Sequence, residues 1–361
     1  MNLVEGVLAG ERLAIARLIT QVENDLPEGR EALNRLFSHT GRAHLIGVTG
    51  SPGTGKSSLV NQLARAYRNP ANGAQPFKVA VVAVDPSSPF TGGALLGDRV
   101  RMRDLAGDPG VFVRSMASRG ALGGLSRSTA AVVQVLDAAG FDKIFIETVG
   151  AGQSEVDIAR LAHTTLVVEA PGLGDDIQAI KAGIMEIADI LVVNKADRPG
   201  AENTERALRS MLELAHPENV QTGGHGRSER SQDSATGLQP QPGSEAWIPP
   251  VLRTIAPQGS GTADLVAAIE QHAAFLRESG EWHVRERERL QNELNNLLQA
   301  ILVARWRKSV SDAELEDVIS RLQDRKLSPF QAAGQLLNLE EIPQGNYQEH
   351  PAKGWSILEE K

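Results

Sequence analysis

Two periods of hydrophobic patterning divide the chain. Between residues 44 and 255, short runs that are almost wholly apolar recur at 45–48, 79–84, 111–113, 144–146, 165–169, 190–193 and 251–255. Runs of this length, rich in Val and Ile, predict strands buried on both faces. Between them, at 122–139, 176–188 and 202–215, apolar residues recur every three or four positions and predict helices. Strands alternating with helices predict a doubly wound, mostly parallel α/β sheet, with ligands at the carboxyl ends of its strands.

The helical period takes over at both ends. Over 3–37, Leu3, Val4, Val7, Leu8, Leu13, Ile15, Leu18 and Ile19, then Leu33, Leu36 and Phe37 after Pro27, predict helices packed on the side of the main domain. After Gly261, Leu265, Ile269, Ala273 and Leu276 form one stripe. Leu290, Leu294, Leu297, Leu298, Ile301 and Leu302 form a second, on a helix predicted over 281–308. Further helical patterns cover 311–325 and 329–339. Such an arm is too narrow for a core of its own and is expected to pack on the domain or on a second copy. The expected organisation is therefore an N-terminal helical extension (1–40), a main domain (41–261), a helical arm (262–340) and a loosely ordered tail (341–361). The stretch 216–246, rich in Gly, Ser, Gln and Pro, interrupts the main domain as an expected mobile surface insertion.

Composition narrows the chemistry. The 361 residues carry a formal net charge of −8, so nothing global points to nucleic acid or an anionic membrane surface. No apolar run approaches the about 18 residues of a membrane span, and no secretory signal pattern opens the chain, so a cytoplasmic protein is expected. Cysteine is absent, which excludes disulfides and thiolate-bound metals. With eight scattered His, the metal chemistry left is a hard Mg2+ ion with oxygen ligands.

The first apolar run leads into Gly50-Ser51-Pro52-Gly53-Thr54-Gly55-Lys56-Ser57-Ser58, which matches G-x-x-x-x-G-K-[ST] between a strand and a helix. Glycines let successive backbone N–H groups turn inward as an anion nest, and the following helix adds its partial positive charge. Lys56 is placed for the β- and γ-phosphates, and the Ser57 hydroxyl for Mg2+. This loop does not by itself choose the base.

A second motif makes that choice. The run at 190–193 ends in Asn194-Lys195-Ala196-Asp197, an N-K-x-D sequence. The Asp197 carboxylate can accept hydrogen bonds from guanine N1–H and the exocyclic amine, which adenine cannot offer, so GTP and GDP are the expected ligands. Ile255-Ala256-Pro257 is placed to complete the base pocket, with Ile255 standing where such loops usually carry Ser. At the phosphate end, Glu147 closes the run at 144–146 and is placed for the Mg2+ shell, and Gly150 offers an N–H to the γ-phosphate. Asp85 and Asp98 are further carboxylates within reach of a metal, directly or through water.

Taken in order, the P-loop, Val84-Asp85-Pro86-Ser87-Ser88, Gly97-Asp98-Arg99-Val100-Arg101-Met102, Glu147-Thr148-Val149-Gly150-Ala151-Gly152-Gln153-Ser154-Glu155 and Asn194-Lys195-Ala196-Asp197 resemble the methylmalonyl-CoA mutase-associated GTPases of the MeaB/ArgK type. Glu147 is telling, since most GTPases carry Asp there. The resemblance covers about residues 5–340 apart from the insertion. It implies a homodimeric, Mg2+-dependent GTPase that chaperones an adenosylcobalamin-dependent acyl-CoA mutase, gating cofactor loading and protecting the enzyme. It also implies that Asp85, Asp98 and Glu147 are metal-site and switch carboxylates, and that Lys181, in the loop 172–181, senses GTP. No D-x-H-x-x-G cobalamin motif is present, so the chain is not itself a mutase. Two other activities, one of a related architecture and one of another class, compete with this one. A nickel metallochaperone GTPase would need Cys or clustered His for its cargo, and a transport-linked kinase would need ATP, against Asn194 to Asp197. A module that holds GDP without turnover is a third alternative, since no side chain is an obvious general base.

Overall fold

A computed structural model describes residues 2–70, 73–86, 105, 107–118, 124–148, 154–172, 186–215, 246–338, 348–350 and 354–356. Seven strands, β1 (His44–Thr49), β2 (Val79–Pro86), β3 (Val111–Ser118), β4 (Lys143–Thr148), β5 (Thr164–Glu169), β6 (Ile190–Asn194) and β7 (Val251–Thr254), form one sheet in the order β3-β2-β4-β1-β5-β6-β7. Every neighbouring pair in it is parallel, which bears out the doubly wound α/β reading. The α-helices among the described residues are α1 (Leu3–Leu8), α2 (Arg12–Glu23), α3 (Pro27–Leu36), α4 (Lys56–Arg68), α5 (Gly124–Ala138), α6 (Ser154–Leu161), α7 (Ala201–Ala215), α8 (Thr262–Glu278), α9 (Glu281–Ser309), α10 (Asp312–Gln323) and α11 (Pro329–Leu336).

The unbroken apolar strands follow from a sheet covered on both sides. Successive side chains point to opposite faces. In β4, Ile144 and Ile146 join Leu45, Ala80 and Val82 in a layer closed by α5 and by α1 to α3. Phe145 points the other way, into a layer with Ile46, Val48, Val79 and Val81 closed by α4 and α8. A third cluster packs Val167, Leu191 and Val193 under α7. Each Val, Leu, Ile or Phe side chain removed from water there contributes about 1.5–3 kcal/mol.

Differences from the sequence pattern have local causes. β3 runs five residues beyond the apolar run at 111–113. It is an edge strand, so its outer positions tolerate polar residues, and Arg114 there pairs with Glu23 of α2. β7 stops at Thr254 because the Ile255 N–H turns to Ser260 O at 3.0 Å. The helix expected over 176–188 and the insertion 216–246 lie, but for residues 186–188 and 246, outside the described residues.

The amino ends of the strands carry a buried polar chain. His44, Lys143 and Thr164 open β1, β4 and β5, and Asp189 precedes β6. Lys143 Nζ donates to Glu270 Oε1 at 2.5 Å and lies 3.4 Å from His44 Nδ1. His44 Nε2 lies 2.7 Å from Thr164 Oγ1, which lies 2.9 Å from His272 Nδ1. His272 Nε2 lies 3.2 Å from Asp189, which also takes two bonds from Arg285 at 2.8 and 2.9 Å. Burial, with the Lys143 charge adding to it, holds the His44 pKa well below 6.5. The imidazole is therefore neutral, and the ammonium facing Nδ1 puts its proton on Nε2. Burial by itself would raise the Asp189 carboxyl, but bonds from His272 and Arg285 hold it at about 2.

Both shifts carry the same sign. The unfolded chain binds protons at His44 below its ordinary 6.5 and at Asp189 below 3.8, where the folded chain does not. Stability is thus present above these values and lost on acidification. The Tm is expected to fall as the pH drops through about 6.5, where the unfolded His44 takes up its proton, and to fall further below about pH 4, where the unfolded Asp189 does. A Tm independent of pH through the first of these steps would contradict the neutral His44.

The chain divides into two compact units, Met1–Glu286 and Arg287–Lys361. In the second, Ser311 caps α10 and a Ser328–Gln331 capping box starts α11. Trp306 Nε1 bonds Leu336 O at 2.9 Å, and a two-stranded antiparallel ladder, β8 (Gln348–His350) and β9 (Gly354–Ser356), lies in the tail. No residue of α9 is buried, and Leu294, Ile301, Leu302 and Val303 are each more than half exposed. No helix among the described residues is long and apolar enough to cross a membrane.

Candidate nucleotide site

The phosphate-binding loop joins the central strand to α4. Gly50 has φ +130°, and a Cβ on it would sit 2.1 Å from Val168 O in β5. Gly55 has φ +94°, and a Cβ there would sit 2.6 Å from Asn194 Nδ2. Both positions therefore need glycine for backbone and for space. No side chain caps the amino end of α4, and that end of the helix turns its partial positive charge toward the loop. Lys56, the first residue of α4, is buried and folds over the loop, donating from Nζ to Gly50 O at 2.7 Å and Ser51 O at 3.0 Å. Thr54 Oγ1 donates to Ser51 O at 3.0 Å. The loop is thus shaped from within by its own side chains.

Next to the loop, Ser57 Oγ donates to Glu147 Oε1 at 2.5 Å, both residues being buried. β4 pairs with β1 so that Glu147 stands beside Val48, at the ends that feed the loop. A hydroxyl and a carboxylate in contact are hard oxygen donors, and Mg2+ commonly takes one or two such protein ligands with the rest from phosphate and water. The donor set fits Mg2+. Asp85 lies one residue beyond the Val84–Thr148 pairing at the end of β2. Its side chain, and the residues Asp98, Gly150 and Lys181, lie outside what the structure describes.

On the other side of the loop, side chains at the end of β6 reach it. Asn194 Nδ2 donates to Thr54 O at 2.8 Å, while Asn194 Oδ1 accepts from Thr254 Oγ1 at 3.1 Å and from Ala256 N at 3.2 Å. The fully buried amide therefore ties the phosphate loop to the segment Ile255, Ala256 and Pro257. Lys195, with φ +57°, stretches back over the loop and donates to Gly53 O at 2.5 Å. Asp197 is exposed at the head of the turn that follows. Asn194 and Lys195 of the N-K-x-D motif thus bond the P-loop, and Ala196 N bonds Thr254 O at the end of β7 at 3.1 Å.

A profile of the family described as methylmalonyl Co-A mutase-associated GTPase MeaB matches residues 15–311. The chain belongs to this family. A protein of Pyrococcus horikoshii named as a GTPase is 44% identical over 336 residues, which cover 93% of this chain and 96% of that one. The methylmalonic aciduria type A homolog, mitochondrial, of Caenorhabditis elegans is 28% identical over 355 residues, covering 93% and 82% of the two chains. Among solved structures, a crystal structure described as an LAO/AO transport system kinase superposes with a TM-score of 0.65 at 26% identity, covering 93% of this chain and 95% of that one. The protein is accordingly a P-loop GTPase of the MeaB family, and the resemblance read from its motifs is borne out.

Two contributors to the site were not singled out from the sequence. Thr254 closes β7 and helps hold Asn194. Glu169 closes β5 and is buried, with Oε1 accepting from Ser51 Oγ at 3.2 Å. A signal for Glu169 was present: an acidic residue directly after an apolar run, Leu166 to Val168, as Glu147 follows Ile144 to Ile146.

Proposed function

We propose that the protein hydrolyses GTP to GDP and phosphate with Mg2+ and thereby gates and protects an adenosylcobalamin-dependent acyl-CoA mutase, methylmalonyl-CoA mutase foremost. Asn194 carries the nucleotide part, because a single buried amide bonds the P-loop and the base-side segment together. In this reading the N–H groups of the loop and of the first turn of α4 cradle the phosphates. Lys56 leaves part of its hold on Gly50 O and Ser51 O to take the β- and γ-phosphates, so its charge is already aimed when nucleotide arrives. Asp197 accepts from the guanine edge, and the Lys195 stem and the segment 255–257 flank the ring. Ser57 and Glu147, with Asp85 and Asp98, would hold Mg2+ and its waters. Bound there, the ion would neutralise charge on the β- and γ-oxygens. Gly150 and Lys181 would follow the γ-phosphate and report its loss.

The mutase partner is supported by the family's description and by the methylmalonic aciduria name of the Caenorhabditis elegans relative. The exposed apolar stripe of α9, Leu294, Leu298, Ile301 and Leu302, supports a homodimer that covers it. The protein acts in the cytoplasm in this reading. Sedimentation is expected to give twice the 38.7 kDa chain mass. GTP hydrolysis by the purified protein, alone and with an adenosylcobalamin-dependent acyl-CoA mutase of the same cell, tests the partner. A slow basal rate stimulated by the mutase is expected, and a rate indifferent to it would remove the mutase from the account.

A further inference from the structure

The boundary between the two compact units falls inside α9, after Glu286, and not at the joint between α8 and α9. Ser279 and Gly280 form that joint, and Gly280 has φ +80° with open space where a Cβ would sit. A turn made on one glycine is a ready hinge. Residues 281–286 therefore continue the arm helix in sequence, yet they belong in space to the first unit.

Polar contacts hold them there. Arg285 grips Asp189 with two bonds, at 2.8 and 2.9 Å, and donates to His163 O at 2.8 Å. Asp189 is fixed in turn, because its Oδ2 accepts from Thr165 N at 2.8 Å. Leu45 N donates to His163 Nδ1 at 3.1 Å, which puts the ring proton on Nε2, facing Glu286 Oε2 at 3.3 Å. The His163 ring also stacks on Trp282, with centroids 4.0 Å apart, and the Arg277 guanidinium lies 4.5 Å from the centre of the Trp282 ring. The anchors on the sheet side, His163 and Asp189, are buried. Trp282, Arg285 and Glu286 are only half-buried, and no residue of α9 is fully so.

This balance decides how the segment comes off. Lifting it returns a guanidinium, a carboxylate and an indole to water and opens no apolar core. Segments with few buried apolar contacts open at a lower free energy than the core they rest on. The paired bonds between Arg285 and Asp189 give the closed position its geometry.

We propose that residues 281–286 are a latch. Closed, they make the root of the arm part of the first unit; open, they swing as one piece about Gly280 while the sheet stays folded. Opening moves the boundary between the units back from Glu286 to Gly280, so the latch decides how much of α9 moves with the arm. It does so whatever the nucleotide site binds.

Native-state proteolysis of the full chain tests this. When reclosing is faster than cleavage, nicking by subtilisin at the Ser279–Gly280 joint, mapped by mass spectrometry, reports the population of the open latch. Local opening exposes little surface, so nicking of the wild type is expected to stay nearly constant with urea below the unfolding transition. Arg285→Gln removes the paired bonds and leaves both anchors in place. It is expected to raise the rate about tenfold, the equivalent of about 1.4 kcal/mol. Nicking that appears only with global unfolding, or climbs with urea as steeply, would overturn the latch, because the segment would then come away only with the core. Nicking of Arg285→Gln at the wild-type rate would overturn it too.

Discussion

Lys56→Ala is expected to lower kcat/KM for GTP by about 10³-fold and to weaken GDP binding in the same variant. Nearly all of catalysis in phosphoryl transfer is positioning and electrostatic stabilisation, and removing one preorganised donor from such a site costs about 10²–10³ in rate. Lys56 does two jobs in this structure. It is a buried cation at the phosphate nest, and it bonds Gly50 O and Ser51 O, which shapes the nest itself. Loss of charge and loss of loop shape act in the same direction, which places the effect at the upper end. Both are local to the loop, so the Tm should move far less than the rate. Hydrolysis at the wild-type rate by Lys56→Ala would remove the residue from its role.

Asp197→Ala is expected to abolish the preference for guanine over adenine nucleotides, a collapse of about 10²–10³-fold in relative affinity. Sites built around a polar edge discriminate strongly because the wrong ligand leaves their buried groups unpaired. Asp197 is exposed in this structure, so the penalty arises only once a base covers it. Guanine supplies two donors to that carboxylate and adenine none. The variant should bind GDP and ADP alike and more weakly than wild type binds GDP, with the phosphate loop intact because Asn194 and not Asp197 braces it. Competition of each diphosphate against a fluorescent nucleotide measures this. A preference for GDP undiminished in Asp197→Ala would assign guanine recognition elsewhere.

Much of the fold could be read from the sequence because the sheet is covered on both faces. That geometry demands uninterrupted apolar strands, and β1, β4 and β6 show them plainly. The edge was harder: β3 carries Arg114 and Ser115 where a central strand would carry Val, so its run ends early in the sequence and continues in the sheet. The P-loop and the N-K-x-D motif were legible because their spacing is set by backbone geometry within one segment. How they meet was not. The bond from Asn194 to Thr54 spans residues 140 positions apart, and the two donors to Asn194 Oδ1, Thr254 and Ala256, come from a third segment. Glu169 escaped for the same reason, since Ser51 is 118 positions away and only the sheet order sets β5 beside β1. The polar chain from Lys143 to Asp189 joins residues from three strands, α8 and the residue before β6, and no local pattern announces it.

The central claim is that this chain holds guanine nucleotide in the loop between β1 and α4, with the base at the ends of β6 and β7. Calorimetric titration of the purified wild-type protein with GDP and with ADP, in the presence of Mg2+, tests it most directly. The account predicts one GDP bound per chain at least about 100-fold more tightly than ADP. Comparable affinities for the two would contradict it.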